Sequence, residues 1–261
     1  MRTFMSEKKR GFVRALWGIH EHEGRRFYLR RTKQDDDIRL MMRNPWIPES
    51  KVYVFGTDNF NMCEELGFDA VLLDERPIIW DMDTEQFRHK LEVFDKAMED
   101  FDEIVFLDWD NIPVKPIPDN FWDVLGEKAA IQSNMCQYKR KKAIWRGKRD
   151  TRKIPNAAFV YIRDKAITEG MLETWEELGR PWSEELVMGR HIDKMNGGWQ
   201  GLDHYWENHE PHWFSMPKIY WSYPPEKIRE EKDRIFYHFN KREVKRMLGQ
   251  KEIKDWSKFM Q

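Results

Sequence analysis

The run Ile104-Val105-Phe106-Leu107 leads directly into Asp108-Trp109-Asp110, so two carboxylates stand two residues apart behind an apolar, partly β-branched stretch. In extended backbone, residues at that spacing point the same way. The side chains of Asp108 and Asp110 can therefore converge on one cation and leave its other positions to water or to the oxygens of an anionic ligand. Hard carboxylate oxygens select Mg²⁺ or Mn²⁺ over softer metals. The same tripeptide is also ordinary turn chemistry, because Asp favours turns and Pro113 and Pro116 follow closely. What it does depends on which other groups the chain brings to that point.

The elements that must position the acids can be read from the hydrophobic pattern. Strands are expected over Phe12 to Ile19, Lys51 to Gly56, Ala70 to Leu73, Glu103 to Leu107, Ala129 to Ser133 and Ala158 to Ile162. Helical patterns separate them. The clearest starts at Asp83 or Thr84 as cap and carries Phe87, Leu91, Phe94 and Met98 on one face; another runs from Lys165 to Leu178 and stops near Gly179. Strands alternating with helices predict an α/β fold, its sheet mainly parallel and covered on both faces, with ligands bound beyond the carboxyl ends of the strands. A single domain over residues 1–261 is expected. Residues 1–135 would form the nucleotide-binding half, 136–240 the acceptor half and 241–261 a helical tail with Val244, Met247, Leu248, Ile253 and Trp256 as packing positions. The stretch from Trp182 to Pro225 is Trp-rich and broken by glycine and proline, so it is expected to be irregular. Lys139 to Lys153 carries nine basic residues and one acid, and reads as a long loop between two strands that either is simply solvated or covers an anion.

Composition narrows the partners. Lys and Arg total 45 against 46 Asp and Glu, which leaves no global drive toward nucleic acid and allows at most peripheral contact with a membrane. Cys63 and Cys136 have neither the number nor the spacing of a disulfide framework, which favours a reducing compartment. The sequence shows no signal-peptide pattern and no apolar run of membrane-spanning length, and the protein is expected to be cytoplasmic. The 13 Trp, 16 Phe and 8 Tyr are suited either to core packing or to stacking on sugars.

Several motifs in order resemble metal-dependent glycosyltransferases of the GT-A type, including glycogenin-like and lipopolysaccharide glycosyltransferase relatives. Phe87-Arg88-His89-Lys90-Leu91 is similar to their basic helix, and Phe101 to Ile112 to their Asp-x-Asp strand. Ile154-Pro155-Asn156-Ala157-Ala158 is similar to their Asn-x-Gly strand entry, with Ala158 in place of the glycine. Asp203-His204-Tyr205-Trp206-Glu207-Asn208 resembles a helix motif of which only the first Asp and the last Asn are kept, and Pro217 to Trp221 resembles a later strand. Ile235-Phe236-Tyr237-His238-Phe239 resembles a strand whose His is a third metal ligand, without the Gly-x-x-Lys-Pro-Trp that usually follows.

The resemblance implies a GT-A, Rossmann-like fold and transfer of a sugar from a nucleotide-sugar to a hydroxyl of a glycan, protein or lipid-linked acceptor, with retention of configuration favoured by His238. It implies Mn²⁺ or Mg²⁺ held by Asp108, Asp110 and His238. Donor contacts would come from Lys90, Arg88, Asn156, Asp108 and Trp109, and the donor would be a UDP-sugar, although the residues do not choose between UDP, GDP and other bases. The ion would offset the charge that builds on the departing diphosphate.

Asp203 is the preferred carboxylate for orienting the sugar or the acceptor hydroxyl, with Glu185 and its neighbour Glu184 competing for that role; the two glutamates also suit the first turn of a helix after Ser183. Asp58 and the segment Gly18-Ile19-His20 are candidates for the base. His20 and His22 lack an evident third ligand, and His204, His209 and His212 read as acceptor-site or surface residues. Two other functions fit parts of the pattern. A haloacid-dehalogenase-like phosphatase would use Asp108 as nucleophile, but it needs a further acidic pair that the sequence does not offer, and its motif normally begins the domain. A non-catalytic sugar-binding protein of the same fold would bind the donor without consuming it.

Overall fold

A computed structural model describes residues 8–18, 29–76, 87–125, 130–133, 156–179, 181, 184–195, 213–215, 235–239, 241–253 and 256. Its frame is a seven-stranded sheet in the order β3-β2-β1-β4-β7-β6-β8, built from β1 (Arg10–Leu16), β2 (Ser50–Phe55), β3 (Asp69–Asp74), β4 (Glu103–Leu107), β6 (Ala130–Ser133), β7 (Asn156–Ile162) and β8 (Trp213–Ser215). The β3-β2-β1-β4 block is parallel, with Val13 opposite Val52's neighbour Lys51 on one side and Phe106 on the other. β7 runs antiparallel to both β4 and β6, and β8 runs parallel to β6. The expected mixed, mainly parallel α/β sheet flanked by helices is thus the one observed.

The central strands are apolar on both faces because helices cover both. Val13, Ala15, Tyr53, Phe55, Ile104 and Phe106 face one core, which is closed by α3 (Arg88–Asp100), α5 (Lys165–Glu177) and α6 (Glu184–Met195) through Leu91, Phe94, Met171, Trp175, Val187 and Met188. Each of the large side chains buried there contributes about 2 kcal/mol by leaving water. On the other face, Leu16, Val52 and Val54 pack with α1 (Leu29–Met41) and α7 (Lys241–Leu248), and Val105 and Leu107 with α4 (Phe121–Leu125). A second, two-stranded sheet lies on this side, where β5 (Asn111–Pro113) pairs antiparallel with β9 (Phe236–His238). α2 (Thr57–Glu65) connects β2 to β3.

Two glycines are required by geometry. A Cβ on Gly11 would lie 2.5 Å from the ring of Phe101, so only glycine lets α3's exit cross β1. Gly179 has φ 61 and ends α5 in the left-handed conformation, where the sequence placed that helix's stop.

Helix α7 and Trp256 dock on the α1 face of the sheet. Val244, Met247 and Trp256 are buried against Ile38, Leu40 and Met41, and Arg43 donates from Nη1 to the Leu248 carbonyl at 3.2 Å, satisfying the end of α7.

Other expectations need correction. β1 stops at Leu16 rather than Ile19, with Gly18 at φ 101 turning the chain away. The stretch expected to be irregular from Trp182 contains α6, whose first turn carries Glu184 and Glu185 and whose Val187 and Met188 pack on α5 and α3; periodicity over so short a run was masked by the surrounding Trp, Gly and Pro. The proposed caps Asp83 and Thr84, the basic stretch 139–153, Cys136, and His20, His22, His204, His209 and His212 lie outside the described residues. Among the described residues, no helix is long and apolar enough to cross a membrane.

Candidate functional site

The chain leaves β1 toward β2 and β3 on one side and returns through α3 to β4 on the other, so strand order reverses between β1 and β4. In sheets of this kind the crevice beyond the carboxyl ends at such a reversal is where ligands bind. Asp108 follows β4 directly and is anchored by its own backbone: its N–H donates to the Ala158 carbonyl at 2.9 Å, and its carbonyl accepts from the Asn111 N–H at 2.9 Å, closing a tight turn around Trp109 and Asp110. Trp109 points into the core, and its indole Nε1 donates to the Ala15 carbonyl at 2.7 Å. Asn111 is buried and donates from Nδ2 to the Ala158 carbonyl at 3.0 Å, a second tie between the turn and β7.

The two carboxylates have different surroundings. Asp108 keeps about a third of its side-chain surface, 32%, open to solvent, and its Oδ1 accepts from Lys90 Nζ at 2.8 Å. Lys90 comes from the first turn of α3 and is itself buried, its ammonium 4.7 Å from the centroid of Phe106. The same ammonium lies 3.7 Å from Oε1 of Glu184 in the first turn of α6, so one buried cation bridges two acids from different elements. Asp110 is buried, and its Oδ1 lies 3.0 Å from Nε2 of His238 on β9. The β5–β9 pairing produces that contact: Asn111 faces His238 in the ladder, and the Phe239 N–H donates to the Asp110 carbonyl at 2.7 Å.

Beneath the turn sits Arg14, in the middle of β1 and fully buried. Its Nη1 donates to the Asp108 carbonyl at 3.0 Å, and its guanidinium carbon is 5.4 Å from the Trp109 ring centroid. Burial pushes its pKa down to about 10, against the opposing pull of Asp108 and Asp110, and it stays charged at neutral pH.

Of the residues singled out in the sequence, the fold therefore gathers Asp108, Asp110, Trp109, Lys90 and His238 at one strand end. Arg88 is turned away, engaged with Glu92 on its own helix and 3.4 Å from Glu176 on α5. Glu184 reaches the site through Lys90, while Glu185 is buried within α6's packing. Asn156 begins β7, opposite Ser133. Asp58 lies exposed in the first turn of α2, and Asp203 lies outside the described residues. Arg14 interrupts the apolar run of β1. A charged residue inside such a run, on a strand apolar on both faces, is itself the signal of a buried charge.

Two carboxylates and one imidazole are donors of a kind that can hold a divalent cation. Among the described residues, no group of three His, Cys, Asp or Glu side chains is drawn together as a ready-made cage. Asp108 is engaged by Lys90 and Asp110 by His238.

No family model matches the chain, and no curated protein matches it in sequence. Solved structures do resemble it in fold. The apo form of the glycosyltransferase GlyE of Streptococcus pneumoniae TIGR4 aligns with a TM-score of 0.52 at 13% identity, over 97% of this chain and 62% of that one. The galactosyltransferase LgtC, in complex with donor and acceptor sugar analogues, aligns at 0.48 with 11% identity, over 96% and 99% of the two chains. Mouse xyloside xylosyltransferase 1 aligns at 0.48 with 9% identity, over 89% and 98%. At such identities the likeness speaks for architecture alone: this chain resembles in fold the aligned 62% of GlyE.

Proposed function

We propose that the chain is a glycosyltransferase that binds the diphosphate of a nucleotide-sugar, together with a divalent ion, at Asp108 and Asp110. The observation that carries this reading is the placement of a part-open carboxylate at the β1/β4 reversal with the buried Lys90 Nζ 2.8 Å from it. Such a site offers an oxygen ligand to a cation and an ammonium to an anion within one hydrogen bond of each other. The ordered motifs of the sequence and the fold likeness to GlyE support the same reading.

On this reading Asp108 and Asp110 would hold the ion, with His238 as a further donor through Nε2 in the tautomer that leaves this nitrogen unprotonated. When bound, the ion supplies positive charge to the departing diphosphate. Lys90 turns from Asp108 toward the phosphate oxygens and stabilises the charge that develops there. The backbone ties from Asp108 and Asn111 to Ala158 keep the turn from moving as the load changes. Glu184, placed by Lys90, is the described carboxylate best situated to orient a sugar or acceptor hydroxyl; Asp203 is the further candidate for that role. The donor is proposed to be a UDP-sugar and the ion Mn²⁺, with the acceptor a glycan, protein or lipid-linked hydroxyl.

The test is a thermal-shift panel of UDP, GDP and CDP with and without Mn²⁺, followed by nucleotide release from the corresponding sugar nucleotides. Stabilisation that needs both nucleotide and ion, and release that follows, is the expected result. Phosphate release from simple phosphoesters in place of nucleotide release would reject it in favour of a phosphatase, and binding without turnover would point to a sugar-binding protein.

A further inference from the structure

We propose that Arg14 is a built-in counter-charge for the acidic turn, a positioning residue that makes the Asp108–Asp110 pair take up a divalent ion chiefly together with a diphosphate and only weakly alone. The inference rests on the reading of that pair as an ion–diphosphate site.

The geometry of Arg14 is hard to explain by stability. It is 0% exposed, yet among the described residues none of its contacts is a direct ion pair: its hydrogen bond goes to a backbone carbonyl, and Nε and Nη2 are buried with no hydrogen-bond partner there. A desolvated cation with orphaned donors weighs against folding, and a neutral side chain of similar volume is tolerated at such positions at least as well. What a neutral side chain lacks is charge beneath the turn. The guanidinium is fixed there by the Asp108 carbonyl and the Trp109 face, and Trp109 is in turn fixed by the Ala15 carbonyl one residue along β1. Arg14 cannot swing out to meet a ligand, so its influence on anything bound above is exerted through the field and through the shape of the turn.

Charge counting gives the consequence. Asp108, Asp110 and Glu184 set three acids against two cations, Lys90 and Arg14, so Arg14 cancels one of the charges that would otherwise draw in a lone ion. A divalent ion arriving alone adds more charge than these side chains offset. An ion accompanied by a diphosphate brings its own compensation and frees Lys90 to bind phosphate. Arg14 is the member of the set that cannot be displaced, and it therefore biases the site toward the pair of ligands.

The test compares wild type with Arg14→Met in three measurements: thermal unfolding without ligand, calorimetric titration of Mn²⁺ alone, and titration of whichever of UDP, GDP or CDP the wild type binds at saturating Mn²⁺. The variant is expected to unfold at the same temperature or higher, to bind Mn²⁺ alone on the order of tenfold more tightly, and to bind the nucleotide on the order of tenfold more weakly. Opposite shifts are the mark of a removed charge, since loosened packing weakens both. Unfolding several degrees lower, failure to fold, unchanged affinities or shifts in the same direction would each overturn the role given to Arg14. A wild type that binds none of the three nucleotides with Mn²⁺ defeats the site reading itself, whereas a wild type that binds and a variant that matches it defeats only Arg14.

Discussion

The two ends of β4 handle charge in opposite ways. At the amino end the buried group is an anion: Glu103 is 1% exposed and is met by Lys8 Nζ at 2.6 Å and Arg10 Nε at 3.0 Å, both of them part-exposed cations. At the carboxyl end the cations Lys90 and Arg14 are buried together with Asp110, and the group left part-exposed is the anion Asp108. The first arrangement is closed. Its acid is covered, its neighbour Tyr161 has its phenol pushed up by burial and by the Glu103 charge, and its cations keep much of their hydration. The second arrangement is open on its acidic side, so an incoming cation can reach a carboxylate without first dismantling the core. The contrast teaches that two clusters built from the same kinds of charge differ in what they leave accessible: a covered acid at the amino end and an open one at the carboxyl end.

Four substitutions would break or sharpen that contrast, beginning with the largest effect. Asp110→Asn should lower nucleotide release by on the order of 10²–10³-fold, the scale of losing one pre-placed electrostatic group, while circular dichroism and melting temperature stay close to wild type. An Asp110→Asn protein with full activity would remove the carboxyl end of β4 from the chemistry. Glu103→Ala should do the reverse, costing about 2–4 kcal/mol in urea unfolding and leaving Mn²⁺-dependent nucleotide binding intact, because it empties a buried polar position far along the strand from the turn. If ligand affinity fell with it, the two ends would be coupled and the distinction drawn here would fail.

Lys90→Met is expected to reduce kcat/KM roughly tenfold, about 1.4 kcal/mol of transition-state stabilisation, and to change stability little, since Asp108 is open enough to be solvated once the ammonium is gone. Steady-state kinetics alongside a melting curve would separate the two effects. Arg10→Ala should be the mildest, costing less than about 1 kcal/mol of stability, because Lys8 still meets Glu103 and the lost partner is itself part-exposed. A cost equal to that of Glu103→Ala would mean that the amino-end cluster works as one unit.

Much of the frame was legible in the amino-acid sequence. Ile104 to Leu107 is apolar at every position because both faces of β4 are covered, and that uninterrupted run identified a central parallel strand before any coordinates. Lys165 to Glu177 was legible because one apolar face and the terminal Gly179 agree. The antiparallel direction of β7 was not, since strand polarity leaves no mark on a run such as Ala158 to Ile162. The start of α6 was legible in Glu184 and Glu185 after Ser183, but its extent to Met195 was not, because its packing residues Val187 and Met188 lie inside a segment dominated by Trp, Gly and Pro, which locally signal loops.

The same division holds at the site. The sequence by itself determined that two acids end a buried strand, that a basic helix precedes them and that a histidine lies on a late apolar segment, because residue type and local spacing are properties of the chain alone. Only the tertiary structure decided the pairings: Lys90 with Asp108 and Glu184, His238 with Asp110 through the β5–β9 ladder, and Arg14 beneath the turn. Those contacts join residues far apart in the chain, and a contact between distant segments is set by sheet order and helix docking, which spacing along one strand does not encode.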